Sequence, residues 1–257
     1  MSEFRHPEAA ALVLAAGQGT RMKSDLAKVL HPMAGRPLLG YVLEALERLG
    51  VARTLVVIGH QRERVRAAFA DARVDWVVQA EQRGTGHAVL MAEPALREFR
   101  GTLLVVCGDT PLLRAETLDA LLVAHERSGA AVTVLSMRLP DPTGYGRIVR
   151  AGGDRIAAIV EHRDATPEQR AIDEVNSGVY AFDYPALARV LAHLTAHNAQ
   201  GEYYLTDTVS LLRDAGQATA VQCADDYREL LGINTAAQLA EAETLYREMS
   251  SRERRRA

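Results

Sequence analysis

Five short runs rich in Val, Leu, Ile and Ala punctuate the first half of the chain: Ala11–Ala15, Thr54–Ile58, Val74–Gln79, Thr102–Cys107 and Ala131–Met137. Most are continuously apolar, as strands buried on both faces of a parallel sheet are. Between them lie segments of helical period at Pro37–Leu49, Arg62–Ala70, Gly84–Leu96 and Ala115–Ser128. Pro37 suits the first turn of its helix and Gly50 the stop. Strands alternating with helices predict βαβ units, a Rossmann-like, mainly parallel sheet and an α/β fold.

After Met137 the pattern changes. The turn cluster D-P-T-G-Y-G (Asp141–Gly146) precedes short strand-like runs at Arg147–Val149 and Ile156–Val160. A polar, partly helical connection (Asp164–Ile172) leads to a further strand at Gly178–Phe182. These segments predict a small β-hairpin and loop lid beside the sheet. Helices at Tyr184–His193 and Tyr203–Ala215, a strand at Ala218–Gln222 and a long helix at Ala236–Arg255 complete the reading. The expected organisation is one composite domain over residues 1–235, followed by a helical arm and basic tail over 236–257.

A chain of 257 residues is long enough to bury a sizeable core. No apolar run approaches the roughly 18–20 residues of a membrane span. The start, M-S-E-F-R-H-P-E, lacks the apolar core of a signal peptide, so a cytoplasmic location is expected. Cys107 and Cys223 stand alone without metal-ligand spacing and read as free thiols, Cys107 buried on a strand. The net charge of −3 argues against nucleic acid as a partner. It conceals a +3 stretch over residues 247–257, which reads as a solvated helix end.

Three constellations carry chemistry. The first is L-V-L-A-A-G-Q-G-T-R-M-K-S-D-L-A-K-V-L-H, residues 12–31. The apolar run stops at Gly17 and Gly19, and Thr20, Arg21, Lys23 and Lys28 follow. Glycines bring backbone N–H groups close to phosphate oxygens, and Arg21 and Lys28 offset their charge. No G-K-[ST] closes the loop, and the third small position of the dinucleotide fingerprint is missing. A plain strand-to-loop turn therefore stays open. The second is Gly108-Asp109 at the end of Leu103–Cys107, a strand-tip carboxylate suited to Mg²⁺ or, alternatively, the cap of a helix starting near Leu113. The third is Q-A-E-Q-R-G-T-G-H-A (Gln79–Ala88). Its Gln79 amide and bare backbone at Gly84 suit a pyrimidine edge, while Thr85 at a helix start reads equally as a cap. His87 reads as an ordinary helix residue.

Together these motifs resemble the nucleotidyltransferase family that makes nucleotide-sugars. Within it, the chain is most similar to the uridyltransferase half of the bifunctional N-acetylglucosamine-1-phosphate uridyltransferase/glucosamine-1-phosphate acetyltransferases. The resemblance spans about residues 9–250. It also rests on G-D-T-P-L, D-P-T-G-Y-G-R-I, I-V-E-H-R-D-A-T, E-V-N-S-G-V, N-A-Q-G-E-Y-Y-L-T-D and G-I-N-T, in that order. It implies a nucleotide-diphospho-sugar transferase fold and the formation of UDP-N-acetylglucosamine and pyrophosphate from UTP and N-acetylglucosamine 1-phosphate.

The resemblance also assigns residues. Arg21 and Lys28 contact phosphates, with Leu14, Ala15 and Gly17 in the nucleotide loop. Gln79, Gly84 and Thr85 recognise uracil. Asp109 and Asn234 hold Mg²⁺, so Asp109 joins Arg21 and Lys28 as the catalytic set. Gly146, Glu161 and Asn176 bind the sugar, and Tyr204 and Thr206 line its acetyl pocket.

Three positions depart from the family pattern. Ala27 replaces a proline, which predicts a looser loop under Lys28. Cys107 replaces a tyrosine, and Ser177 a threonine. No hexapeptide β-helix follows residue 257, so acetyl transfer is not expected of this chain, and a monomer or weak oligomer is. Two alternatives remain: a pyrophosphorylase for another sugar phosphate or nucleotide, and a non-catalytic protein that binds nucleotide-sugars. Elsewhere, His193 and His197 read as two histidines on one helix face without the zincin glutamate. Ser128, Ser136 and Ser210 lack the G-x-S-x-G context of a hydrolase.

Overall fold

Strand β1 (His6–Ala15) shows in a computed structural model, which describes residues 4–253, why its run of small and branched residues is apolar throughout. Ala10 and Leu12 join the core on one face of the sheet, while Ala9, Ala11 and Val13 join the core on the other. A strand with alternate side chains in two cores has no polar face to offer.

A two-residue ladder, β2 (Pro32–Met33) with β3 (Arg36–Pro37), leads into α1 (Leu38–Leu49). Pro37 is the residue before this helix rather than in its first turn, and Gly50 ends the helix in the left-handed conformation (φ 72°). The alternation continues through β4 (Val51–Ile58), α2 (Arg62–Ala68), β5 (Asp75–Val78), α3 (Thr85–Leu96), β6 (Thr102–Cys107) and α4 (Ala115–Ser128). Then follow β7 (Val132–Arg138), β8 (Arg147–Gly152), β9 (Arg155–Val160), α5 (Pro167–Arg170) and β10 (Glu174–Asp183). Helices α6 (Tyr184–Leu191) and α7 (Asp207–Asp214), strand β11 (Thr219–Cys223) and helix α8 (Ala236–Glu253) close the order.

The strands form one sheet in the order β5-β4-β1-β6-β10-β7-β11-β9-β8. Strands β5, β4, β1 and β6 are mutually parallel. Strand β10 runs antiparallel between β6 and β7, and β11 is parallel to β7. The β8–β9 hairpin is not separate from this sheet: β9 pairs with β11 and β8 with β10. Helices α3, α6 and α7 cover one face, and α1 and α4 the other. Helix α8 lies over a smaller cluster of Met22, Met33, Leu38, Tyr41 and Ile233, where Tyr246 meets Tyr41 edge-on at 5.3 Å. Among the described residues no helix is long and apolar enough to cross a membrane.

Three expectations are corrected. Helix α6 ends at Leu191, so His193 and His197 share no helix face. Helix α7 begins at Asp207, because the Tyr203 backbone and the Leu205 N–H pair with Arg83, Gly86 and Thr85 rather than with a helical turn. Strand β10 begins four residues before Gly178. Its Glu174 is buried, yet it accepts from Arg150 Nε (2.8 Å), Arg150 Nη2 (2.7 Å) and Ser136 Oγ (2.6 Å), which lets a charge sit inside a strand. Residues 254–257 of the basic stretch and residues 1–3 of the N-terminal stretch lie outside the described residues.

Candidate active site

The loop after β1 turns twice through short 3₁₀ segments, Thr20–Met22 and Lys28–Leu30. Gly19 (φ 68°) makes the first turn possible, and a Cβ there would sit 2.6 Å from Lys28 Cβ. The missing side chain is therefore what lets Lys28 fold back over the loop. Gly17 has no such neighbour; its Cβ would meet open space. Ala27 departs from the expected looseness. It is 1% exposed, and its N–H donates to Gln61 Oε1 at 3.1 Å, while Gln61 Nε2 donates to the Asp25 carbonyl.

Lys28 Nζ forms an ion pair with Asp109 Oδ2 and donates to Asn234 Oδ1 at 3.0 Å. Arg21 Nη2 donates to the same Asn234 oxygen at 3.0 Å. Asp109 follows the tip of β6, where Gly108 N–H donates to the Leu14 carbonyl of β1 (2.9 Å). The Asp109 carbonyl accepts from Ile233 N–H (2.9 Å), and this bond sets Asn234 beside it. Asp109 is no helix cap, because α4 begins at Ala115 with Arg114 before it.

The site's fitness for a metal is read from these donors. One carboxylate and one amide oxygen converge on a single ammonium, so both already face a common cation position. Hard oxygen donors of this kind suit a small divalent cation that keeps water or phosphate oxygens as its other ligands. Among the described residues no group of three His, Cys, Asp or Glu could hold a metal alone.

A cleft of about 420 Å³ runs from this cluster along the strand tips. Leu14, Ala15, Gly17 and Lys28 line it from the loop, and Asp109 from β6. Gln79, Gly84 and Thr85 close the other end. Gln79, 3% exposed, donates through Nε2 to the Gly84 carbonyl (3.0 Å) and to His87 Nδ1 (3.0 Å). A carbonyl only accepts, so this fixes the amide's orientation and leaves Oε1 as the group it offers. Burial and the neighbouring Arg83 lower the His87 pKa, and because the Gln79 Nε2 group only donates, Nδ1 is the acceptor in their bond.

Gly84 adopts φ 107°, and a Cβ would lie 2.5 Å from the Tyr203 carbonyl. The turn is stitched to residues 203–205: Tyr203 N–H donates to the Arg83 carbonyl (2.8 Å), Gly86 N–H to the Tyr203 carbonyl (2.8 Å) and Leu205 N–H to Thr85 Oγ1 (3.1 Å). Thr85 therefore uses its hydroxyl to hold another segment and caps nothing.

Gly146, Glu161, Asn176 and Thr206 form a second cluster. Asn176 N–H donates to the Gly146 carbonyl (2.8 Å), and Thr206 Oγ1 donates to Glu161 Oε1 (3.1 Å). A Cβ on Gly146 would lie 3.4 Å from that Glu161 oxygen. Burial raises the Glu161 pKa, a rise the Thr206 hydroxyl offsets in part. Tyr204 stands apart: its hydroxyl accepts from Gln200 Nε2 (2.8 Å) and donates to Asp164 Oδ2 (3.4 Å). Cys107 lines the cleft and leans its sulfur toward the Gly178 carbonyl (3.6 Å), linking the clusters. It is only partly buried as a residue, but burial of the thiol and the nearby Asp109 push its pKa up to about 12, so it stays protonated. Gln61, Gln82 and Glu202 gave no signal of their own in the sequence, although Gln82 and Glu202 lie within two of the quoted motifs; His87 is the helix residue it reads as, and it also orients Gln79.

Comparison with known proteins defines the class. The MobA-like NTP transferase domain family matches residues 11–177, and the chain belongs to it. At finer grain, it is 54% identical over 243 residues to the bifunctional protein GlmU of Thermobifida fusca, covering 92% of this chain and 50% of that protein. It is 48% identical to GlmU of Syntrophotalea carbinolica (95% and 52% covered) and 53% identical to that of Streptomyces avermitilis (91% and 49% covered). The chain thus spans about half the length of the curated relatives it matches.

Proposed function

We propose that this chain is an N-acetylglucosamine-1-phosphate uridyltransferase that joins UTP and N-acetylglucosamine 1-phosphate into UDP-N-acetylglucosamine and releases pyrophosphate. The observation that carries this reading is the meeting of Arg21, Lys28, Asp109 and Asn234, from three remote stretches, at the mouth of a cleft whose far end is Gln79 and Gly84. One end suits a triphosphate and the other a base. The likeness to the GlmU proteins favours uridine and an N-acetylated sugar.

The sugar phosphate is the nucleophile. Its oxygen forms a bond to the α-phosphorus of UTP, the bond from that phosphorus to the bridging oxygen breaks, and pyrophosphate leaves with the electron pair. A phosphate monoester is mostly dianionic near neutral pH, with its second pKa at about 6, so no general base is required. Catalysis reduces to alignment and charge neutralisation. Arg21 and Lys28 steady the phosphates, and Gln79 Oε1 with the Gly84–Thr85 backbone holds the base. Gly146, Glu161, Asn176 and Thr206 hold the sugar. Tyr204 shapes that end through Asp164. Mg²⁺, held by Asp109 and Asn234, would supply further neutralisation of the leaving group.

Pyrophosphate release, measured over a panel of sugar 1-phosphates and nucleoside triphosphates with and without Mg²⁺, tests the proposal. UTP with N-acetylglucosamine 1-phosphate should be the best pair and should require the metal. A preference for glucose 1-phosphate would overturn the sugar assignment. UTP binding without any pyrophosphate release would make the chain a nucleotide-sugar-binding protein.

A further inference from the structure

The Asn176 amide is held at both ends by its own strand. Strand β10 carries a bulge against β7: Asn176 pairs with Ser136 and Val179 with the very next residue, Leu135. Within the bulge, Ser177 Oγ donates to the Leu135 carbonyl (2.6 Å) and accepts from Val179 N–H (3.2 Å), replacing lost ladder bonds. Asn176 Oδ1 accepts from Gly178 N–H at 3.0 Å. Because that N–H only donates, the amide's orientation is settled, and Nδ2 must face the other way. There it donates to the Tyr180 hydroxyl at 2.6 Å. In a flat strand residues four apart lie about 13 Å from each other; the bulge shortens that span.

Tyr180 is well fitted to act as a fixed post. It is 2% exposed, sits in the ladder opposite Val105 and Val134, and stacks on Phe182 with ring centroids 5.4 Å apart. Burial, reinforced by the nearby Glu161 charge, raises its pKa well above the ordinary phenol value, so the hydroxyl keeps its proton. That proton is free to point elsewhere, since the oxygen's role toward Asn176 is to accept.

We propose that Tyr180 is a positioning residue: its hydroxyl orients the Asn176 amide for the sugar of the incoming sugar phosphate. This rests on the proposed role of Asn176 in sugar binding. The test compares Tyr180→Phe, Asn176→Ala and the double variant in steady-state pyrophosphate release, with thermal unfolding of each. Tyr180→Phe keeps the stacked ring and should raise KM for N-acetylglucosamine 1-phosphate about fivefold. KM for UTP and Tm should stay close to the parent. Asn176→Ala should raise the sugar-phosphate KM at least as much, and adding Tyr180→Phe to it should cost nothing more. If Asn176→Ala raises that KM and Tyr180→Phe does not, the positioning role is overturned while the sugar site stands. If Asn176→Ala leaves it unchanged, both fall. Equal rises in both KM values with a lowered Tm would make Tyr180 merely structural.

Discussion

The two ends of the site are built by different means. At the proposed nucleotide end, groups hang from the tips of parallel strands: the glycine loop from β1, Gln79 from β5 and Asp109 from β6. Backbone geometry does most of the placing, and one short sequence stretch supplies each group. The proposed sugar end is assembled around antiparallel β10, from a bulge, the loop before β8, the end of β9 and residues 203–206. There hydrogen bonds do the placing: Thr206 Oγ1 to Glu161, Asn176 N–H to the Gly146 carbonyl, and the Asn176 amide to Gly178 and Tyr180 of its own strand. A strand-tip site tolerates loss of one side chain without losing its frame, whereas a stitched site does not. The two ends should therefore fail in different ways.

The largest effect is expected at Asp109. Asp109→Asn keeps size and shape but removes the charge opposite Lys28, and the Ile233 bond to the backbone carbonyl remains. Turnover should fall by roughly 10²–10³-fold or more, with Tm little changed. Pyrophosphate release alongside a melting curve checks both halves of this. Retained turnover would remove Asp109 from the metal and phosphate machinery.

Gly84 lies where the two ends meet. Gly84→Ala forces a Cβ to within 2.5 Å of the Tyr203 carbonyl at a φ of 107°. Backbone strain of this kind costs about 1–3 kcal/mol, and the turn must pull away from residues 203–205. The expected result is a Tm drop of roughly 2–10 °C together with higher KM values for both substrates. A rise in the UTP value alone would show that the two ends are uncoupled.

This contrast also explains what was legible in the sequence. Thr102–Cys107 and Ala115–Ser128 were readable to the residue, because a doubly buried strand and an amphipathic helix each leave a periodic signal. The glycine loop, Asp109 and Gln79 were readable because each ends such a strand. The start of β10 was not: Glu174 looks like a loop residue until Arg150 and Ser136 are found around it. Residues 203–206 looked helical because their apolar spacing continues that of α7, and the bonds of Tyr203 and Leu205 to Arg83, Gly86 and Thr85 keep this stretch a loop and turn ahead of the helix. Tyr180 carried no signal, since a tyrosine in a strand usually packs in the core.

Glu161 gives a pH-dependent version of the same contrast. Its folded-state pKa is raised by burial, so the folded protein holds this proton more tightly than the unfolded chain. The group's contribution is then most favourable at pH below the unfolded value and is lost as pH rises through the folded value. Glu161→Gln keeps an acceptor oxygen for the Thr206 hydroxyl and removes the titration. The variant should gain Tm relative to the parent above neutral pH, and the gain should shrink as pH falls toward the ordinary carboxylate range. The sugar-phosphate KM should rise at the same time. A pH-independent Tm difference would show that the carboxylate is not what costs stability there.

The smallest effect is expected under Lys28, where this chain replaces one form of rigidity with another. The Ala27 backbone (φ −53°, ψ 134°) already has the shape a proline enforces, but here a hydrogen bond to Gln61 Oε1 holds it. Gln61→Ala leaves a buried N–H without its acceptor, at a cost of about 1 kcal/mol, or roughly 2–4 °C in Tm. Lys28 loses only a little order, so turnover should fall no more than about threefold. Ala27→Pro in the Gln61→Ala background removes the orphaned N–H and restores the fixed φ, so it should recover both Tm and turnover. In the parent, Ala27→Pro forfeits the Gln61 bond as it adds rigidity, and the two should nearly cancel. The double-variant rescue is the discriminating measurement: if Ala27→Pro lowers Tm equally in both backgrounds, the ring does not fit beside Val29 and Leu30, and the bond to Gln61 is not a substitute for proline.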